Sequence, residues 1–295
     1  MDVSDLRVFE AVARLRNMNR AAEELNTVQS NVTARIRQLE QELGVRLFDR
    51  HSRGVHPTSA GQRLLPYALD AMNLVRDARR AATDDGPPSG PLVVGSLETT
   101  LAMRLSRPIA AFVESFPAVD LTIRTSTSEE LIEFVLAREI EGAFVCGPVK
   151  HADLDETICF TEELALMTGS GFERLDDVLK APSLKQIVLR AGCSYRQRLE
   201  DIFARRGIVA VKTLEFATLE AVVSGVAAGV GVTLMPRHLV GSVRAGDRIR
   251  VHRLPADESD VETVFVRRRD AYVSRAQAAF LERAAADAGT SRAAE

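Results

Sequence analysis

No stretch of the 295 residues approaches the roughly 18 uncharged apolar positions that a membrane-spanning helix needs. Cysteine is scarce. Cys146, Cys159 and Cys193 are odd in number, far apart, and without a CxxC pair or metal-ligand spacing, which argues against a disulfide framework or a structural zinc site. His151, His238 and His252 lack a carboxylate or cysteine at ligand spacing, so neither a metal nor a cofactor is expected. The opening segment MDVSDLRVFEAVARLRN is broken by Asp5, Arg7, Glu10, Arg14 and Arg16 and lacks the apolar core of an export signal; the expectation is a cytoplasmic chain. No repeat at solenoid periods is present. The glycines of SGVAAGVG, from Ser224 to Gly231, follow a helix and lead into a strand, the reverse of the order a phosphate-binding loop requires.

The composition is that of an ordinary globular protein, 46% hydrophobic and 27% charged, and the length favours two or three compact units. Net charge is −3, which by itself does not point to a nucleic-acid partner. The first 83 residues nevertheless carry roughly +3 and the remainder roughly −6. The strongest punctuation is DDGPPSGP at positions 84–91, where proline and glycine forbid regular helix. Before it the pattern is helical almost throughout. After it, short Val/Ile/Leu runs alternate with amphipathic stretches, the signature of βα units around a largely parallel sheet, so the fold class is mixed α/β. Strands are predicted near 92–95, 120–124, 142–145, 163–168, 186–190, 213–216, 231–235, 249–254 and 263–267. Helices are predicted near 101–115, 128–137, 195–206, 219–228 and 274–286.

Within the first segment, Leu6, Phe9 and Ala13 with Val8, Val12 and Leu15 make an amphipathic helix. A second begins after the polar break Asn17-Met18-Asn19, with Asn19 as the expected N-cap, and Asn26-Thr27-Val28 forms a turn. A third runs from Gln29 to Leu43, with Val32, Ile36, Leu39 and Leu43 directed at the core. That leaves Gln29, Ser30, Asn31, Thr33 and Arg37 on the other face, with Arg35 beside them. Amide side chains pair with adenine, hydroxyls adapt to several base edges, and arginine reaches guanine or phosphate, so this face suits base readout. A small hairpin comes next, carrying Arg50, His51, Arg53 and His56 at its tip; beside such a helix it reads as a wing whose cations lie against phosphates. Arg20 on the second helix completes the DNA-contact set. Thr58 or Ser59 caps a long helix to about Ala82, whose apolar stripe of Leu65, Ala68, Leu69, Met72, Val75 and Ala82 has no partner in so small a unit and implies a dimer seam, with Pro66 a source of kinking.

The segment RAAEELNTVQSNVTARIRQLEQELGVRLFDRHSRGVHPTSAG resembles the DNA-binding domain of LysR-type transcriptional regulators, and the match is gap-free from about Leu6 to Ala82. The βα pattern from Leu92 to Ala286 is similar to that family's effector domain. The resemblance implies that Gln29, Ser30, Asn31, Thr33 and Arg35 face DNA and that Arg50 and Arg53 belong to the wing. One position departs from the family: the residue before Gln29 is often a capping serine, and here it is Val28, so capping shifts to Thr27 or is lost. The implied organisation is a winged helix-turn-helix at 1–58, a linker and dimerisation helix at 59–83, a hinge at 84–91 and an effector domain at 92–295. The effector domain is implied to be periplasmic-binding-protein-like, with one lobe at about 92–161 and 267–295 and the other at 162–266. Implied partners are double-stranded operator DNA, a small-molecule effector and further copies of the chain, a dimer through the linker helix and usually a tetramer.

Ligands in such sheets sit beyond the carboxyl ends of strands and at helix N-termini. Polar clusters occupy those places: Ser96, Glu98, Thr99 and Thr100; Thr125, Ser126 and Thr127; Cys193, Ser194 and Tyr195; and Thr218, with Cys146 at the end of another strand. Hydroxyls and free amides there suit a small carboxylate. Three alternatives stand beside this reading. Cys193, between Arg190 and Arg196, fits a low-pKa thiol, and a peroxide-sensing branch of the family uses such a cysteine, although no resolving cysteine follows within Gln197 to Gly207. A solute-binding protein without DNA function would account for the second half alone. An enzyme using Cys193 or Ser194 as nucleophile has no histidine nearby in sequence to act as base, and no catalytic residue is assigned.

Overall fold

Leu6, Phe9 and Val12 recur at helical spacing and are buried on one face of α1 (Val3–Leu15), which opens with a reciprocal capping box between Asp2 and Asp5. The structure is a computed structural model and describes all residues except 52–53, 181–183, 190–193, 209–210, 243–247 and 293–295. Asn17, not Asn19, caps α2 (Met18–Glu24): its Oδ1 accepts from the amides of Asn19 and Arg20 at 2.8 and 3.2 Å. Asn17 has the extended backbone that lets a side chain fold over the first turn, whereas Asn19 is already inside the helix. The third helix, α3 (Gln29–Leu43), buries Val32, Ile36 and Leu39. Leu43, expected in the core, is exposed, because it is the last helical residue before Gly44 turns the chain at φ 68°.

The strands β1 (Phe48–His51) and β2 (Gly54–Pro57) pair antiparallel, and the Phe48 ring packs on Phe9 at 5.3 Å between centroids. Thr58 caps α4 (Ser59–Thr83) through the Gly61 amide. Part of the α4 stripe expected to lack a partner within the unit has one: Ala68 is buried, and Leu65, with Leu64 and Ala71, lies against the same core as α1, because the start of the long helix packs back on the helices before it. Tyr67 is 72% exposed and Leu74 69% exposed. These elements form one compact unit, Met1–Asp85; the second is Gly86–Glu295.

The second unit opens with β3 (Gly90–Ser96) and the short α5 (Glu98–Thr100). A π-helical turn at Leu101–Leu105 then leads into α6 (Ser106–Ser115), where the sequence predicts one continuous helix. There follow β4 (Val119–Thr125), α7 (Ser128–Leu136), β5 (Gly142–Cys146) and β6 (Leu154–Gly169). The next elements are α8 (Leu175–Leu179), β7 (Lys185–Leu189), α9 (Ser194–Arg205), β8 (Lys212–Phe216), α10 (Leu219–Ala227), β9 (Thr233–Pro236) and α11 (Leu239–Ser242). The chain closes with β10 (Ile249–Arg253), α12 (Ala256–Ser259), β11 (Asp260–Arg268) and α13 (Arg275–Arg292).

Two α/β lobes result. In the first, β3 pairs in parallel with β4 and β5, and β11 lies antiparallel between β5 and the first part of β6. The core here is aromatic: Phe144 stacks edge-on against Phe265, and Phe280 of α13 meets Phe112 of α6 at a near right angle. From Leu164 onward β6 changes partners, pairing with β9 and β10. The parallel pair β7 and β8 joins this second lobe through the bridge Gln186 to Val232, and Ile187, Leu199, Val222 and Leu234 pack in its core. Among the described residues no helix is long and apolar enough to cross a membrane.

Candidate nucleic-acid interface and ligand cleft

In the first unit α3 presents Gln29, Ser30, Asn31 and Arg37 to solvent, with Thr33 and Arg35 half-buried. Val28 holds the extended conformation of a cap but gives no side-chain hydrogen bond. Thr27 does not replace it: its Oγ1 accepts instead from Asn31 Nδ2 at 2.9 Å. The first amides of α3 therefore start the helix uncapped by any side chain, and its positive dipole end is left to an outside anion. Gln29 Nε2 donates to Thr33 Oγ1 at 3.1 Å, so the amide and hydroxyl pre-order each other on the exposed face.

Arg35 is tied inward. Its Nη1 donates to Asp5 Oδ1 of α1 at 3.2 Å, which makes it as much a clamp between helices as an outward donor. Arg50 stands on β1, exposed, with Glu40 3.9 Å away. Glu40 holds the turn before the wing by accepting the Leu47 and Phe48 amides at 2.8 and 3.2 Å. Arg37, Arg46 and Arg50 line one depression beside Glu40. Arg46 was missed in the sequence, where it sits in the connector after Gly44 and outside any periodic pattern. Arg20 is exposed on α2, and Arg53 lies outside the described residues.

In the second unit a cavity of about 470 Å³ opens at the carboxyl ends of β3, β4, β7 and β8, within the size range of small-molecule sites. Glu98, Thr99, Thr125, Ser126, Thr127, Ser194 and Tyr195 line it. Leu97, Leu189, Glu215, Phe216 and Ala217 complete the wall and were not anticipated; Glu215 and Phe216 end a strand whose alternation alone does not say which lobe face meets a cleft. Ser96, Thr100, Cys146 and Thr218 are not in the lining. Ser96 is wholly buried and donates to the Leu97 carbonyl, Thr100 turns into the core, and Thr218 caps α10 through the Ala221 amide. Cys146 packs against the core of the second lobe, and its amide donates to Ser128 Oγ at 3.2 Å. Cys193 lies outside the described residues. Cys159 is half-buried, and burial pushes its thiol pKa up, the wrong direction for a reactive thiolate.

Both lobes reach into the cavity and touch there. Ser128 Oγ of α7 and Ser194 Oγ of α9 lie 3.2 Å apart. Glu98 Oε1 of α5 accepts the Leu219 amide at the start of α10 at 3.0 Å. Thr127 caps α7 through the Glu130 amide, and Ser126 bonds the Glu130 carboxylate. Arg196 Nη1 donates to Glu215 Oε2 at 3.1 Å. Among the described residues no group of three or more histidine, cysteine, aspartate or glutamate side chains is placed to hold a metal ion.

Two family models match the chain: the bacterial regulatory helix-turn-helix protein model of the lysR family over residues 3–62, and the LysR substrate binding domain over residues 85–289. The HTH-type transcriptional regulator GltR of Bacillus subtilis is 39% identical over 281 residues, which span 95% of each protein. A full-length OxyR variant from Pseudomonas aeruginosa superposes with a TM-score of 0.72 at 22% identity, covering 96% of this chain and 94% of that one. Full-length CbnR complexed with its target DNA gives 0.63 at 24% identity, covering 97% of this chain and all of the other.

Proposed function

This chain belongs to the LysR family of bacterial helix-turn-helix regulators, and from that premise we propose how its two units divide the work. It is a DNA-binding transcription regulator and not an enzyme. The start of α3 enters the major groove, where Gln29, Ser30 and Asn31 read base edges while the uncapped amides donate to a phosphate. Arg20, Arg37, Arg50 and Arg53 neutralise the backbone, and Arg46 joins them from the depression it shares with Arg37 and Arg50. Arg35 orients α3 through Asp5.

Residues 1–58 read DNA, 59–83 pair two copies through the exposed Tyr67, Leu69 and Leu74, 84–91 act as hinge, and 92–295 sense the effector in the cytoplasm. Two such dimers make the working tetramer. CbnR, solved with its target DNA, shares this fold, which supports the same mode of docking. The effector is a small carboxylate-bearing metabolite held in the cleft, its negative end met by the hydroxyls and free amides at the starts of α7 and α9. Ligand shifts the regulator only by the difference in its affinity for the two lobe arrangements.

The observation that carries the sensing half is the cavity itself, lined from both lobes by hydroxyls at strand ends. Neither described thiol supports an oxidant sensor in its place, since Cys146 is packed against the lobe core and burial raises the pKa of Cys159. Footprinting on the DNA upstream of the protein's own gene tests the DNA half: a protected inverted repeat is expected, and no protection anywhere would sink it. Titration of the triple variant Thr99→Ala, Thr127→Ala, Ser194→Ala with an effector found by thermal-shift screening tests the other half, with unchanged affinity counting against the cleft.

A further inference from the structure

Among the described residues, charge in the cleft is one-sided. Among the described residues its lining carries two carboxylates, Glu98 and Glu215, and no lysine, arginine or histidine. Glu215 is answered by Arg196 at 3.1 Å. Glu98 has no cationic partner among the described residues; its Oε1 accepts one neutral amide, that of Leu219, and its other oxygen has no bond there. Next to it Thr99, only 4% exposed, borders the cavity with a hydroxyl that makes no hydrogen bond among the described residues.

A carboxylate that a closing ligand removes from water without supplying a cation is strongly disfavoured, and a second anion placed beside it is worse. A simple carboxylic acid would do both. A ligand that brings an ammonium group to Glu98 satisfies the unpaired oxygen, and Thr99 stands ready as a hydroxyl partner on the same turn. The lining at the starts of α7 and α9 has the opposite character, with hydroxyls of Thr127 and Ser194 at the positive helix ends. Leu97, Leu189 and Phe216 supply apolar lining for an uncharged side chain.

We propose that the effector is an amino-acid-like zwitterion with an uncharged side chain, its ammonium bound by Glu98 and its carboxylate by the hydroxyl-rich starts of α7 and α9. This rests on the cleft being the effector site. Because Glu98 belongs to the first lobe and already reaches α10 of the second, its neutralisation by the ligand also sets how firmly that cross-lobe contact holds.

The test uses the full-length protein and calorimetric titration with the proteinogenic amino acids. Each is set against its des-amino acid and its decarboxylated amine, as leucine against 4-methylpentanoate and 3-methylbutylamine. At least one zwitterion is expected to bind at least about tenfold more tightly than either truncated partner. Glu98→Gln, which keeps an acceptor for the Leu219 amide, is expected to remove that preference from both sides, weakening the zwitterion and strengthening the des-amino acid, which no longer meets an unpaired carboxylate. Equal affinity for the des-amino acid in the wild type, or no change in Glu98→Gln while Thr127→Ala and Thr99→Val weaken binding, overturns the ammonium assignment and leaves the cleft standing. Binding insensitive to all three substitutions overturns the cleft as well. No binding by any amino acid in the panel overturns the ligand class.

Discussion

Val28 shows how one side chain distributes free energy between folding and function. A serine there would accept from an amide of the first turn of α3, and such caps contribute about 1 kcal/mol. Val28→Ser is therefore expected to raise unfolding stability in urea by about that amount and to weaken operator binding, because the cap competes with phosphate for the same amides. Unchanged affinity in a gel-shift titration would mean that those amides do not touch DNA. Gly61 is constrained by space rather than charge. A Cβ there would lie 2.3 Å from the Leu47 carbonyl oxygen, so the first turn of α4 rests directly on the backbone preceding the wing. Gly61→Ala is expected to cost about 1–3 kcal/mol by denaturant titration.

At the scale of elements, the pairing of β6 with β10 includes a buried link, Thr168 Oγ1 to His252 Nε2 at 2.9 Å. Burial, with the nearby Arg250 guanidinium adding to it, holds the imidazole pKa below its ordinary 6.5. The unfolded chain takes up that proton first, so the stabilisation is complete above about pH 6.5 and is lost as pH falls through the lower folded value. Stability measured by urea titration should decline from about pH 7 to pH 5, and His252→Gln should flatten that part of the profile. On α12, Glu258 is 8% exposed and is gripped by both Nη atoms of Arg206 at 2.8 and 2.6 Å, which holds its pKa below the usual carboxylate value. Arg206→Met leaves that carboxylate buried and alone and is expected to cost about 3 kcal/mol at neutral pH.

Periodicity alone makes most elements legible in the sequence. The helix from Gln29 to Leu43 and the wing strands stand where the pattern puts them, because one buried face at 3.6- or 2-residue spacing suffices to mark them. The cap of α2 was not legible, since two asparagines two residues apart have the same chemistry and only backbone angles separate them. The strand predicted to begin at 163 begins at Leu154, because residues 155–158 are mostly polar or exposed and show no clean alternation. In the cleft the polar clusters located the strand ends correctly in space. They did not reveal that Thr99 borders the cavity while Ser96 and Thr100 turn inward, which depends on how each short segment sits against the lobe core.

For the whole molecule, the proposed function predicts a dependence on self-association and on salt. The exposed Tyr67 and Leu74 recur one heptad apart on α4, and Leu74→Glu is expected to move the protein towards monomer in sedimentation velocity and to abolish footprinting at nanomolar protein. DNA affinity should fall steeply with salt, and Arg50→Ala should reduce the slope of log affinity against log salt by about 1 if that side chain neutralises a phosphate. An unaltered slope would place Arg50 off the backbone.

The order of strands has a consequence for synthesis on the ribosome. The central β11, between β5 and β6, is made last, after the entire second lobe has been translated. At about 5–20 residues per second the finished β5 waits on the order of ten seconds for the strand that covers its edge. Throughout that interval the first 85 residues are already complete as a unit of their own. A nascent or prematurely terminated chain therefore completes its helix-turn-helix unit well before the second unit, and on the proposed division of work such fragments would occupy operators without answering to any metabolite.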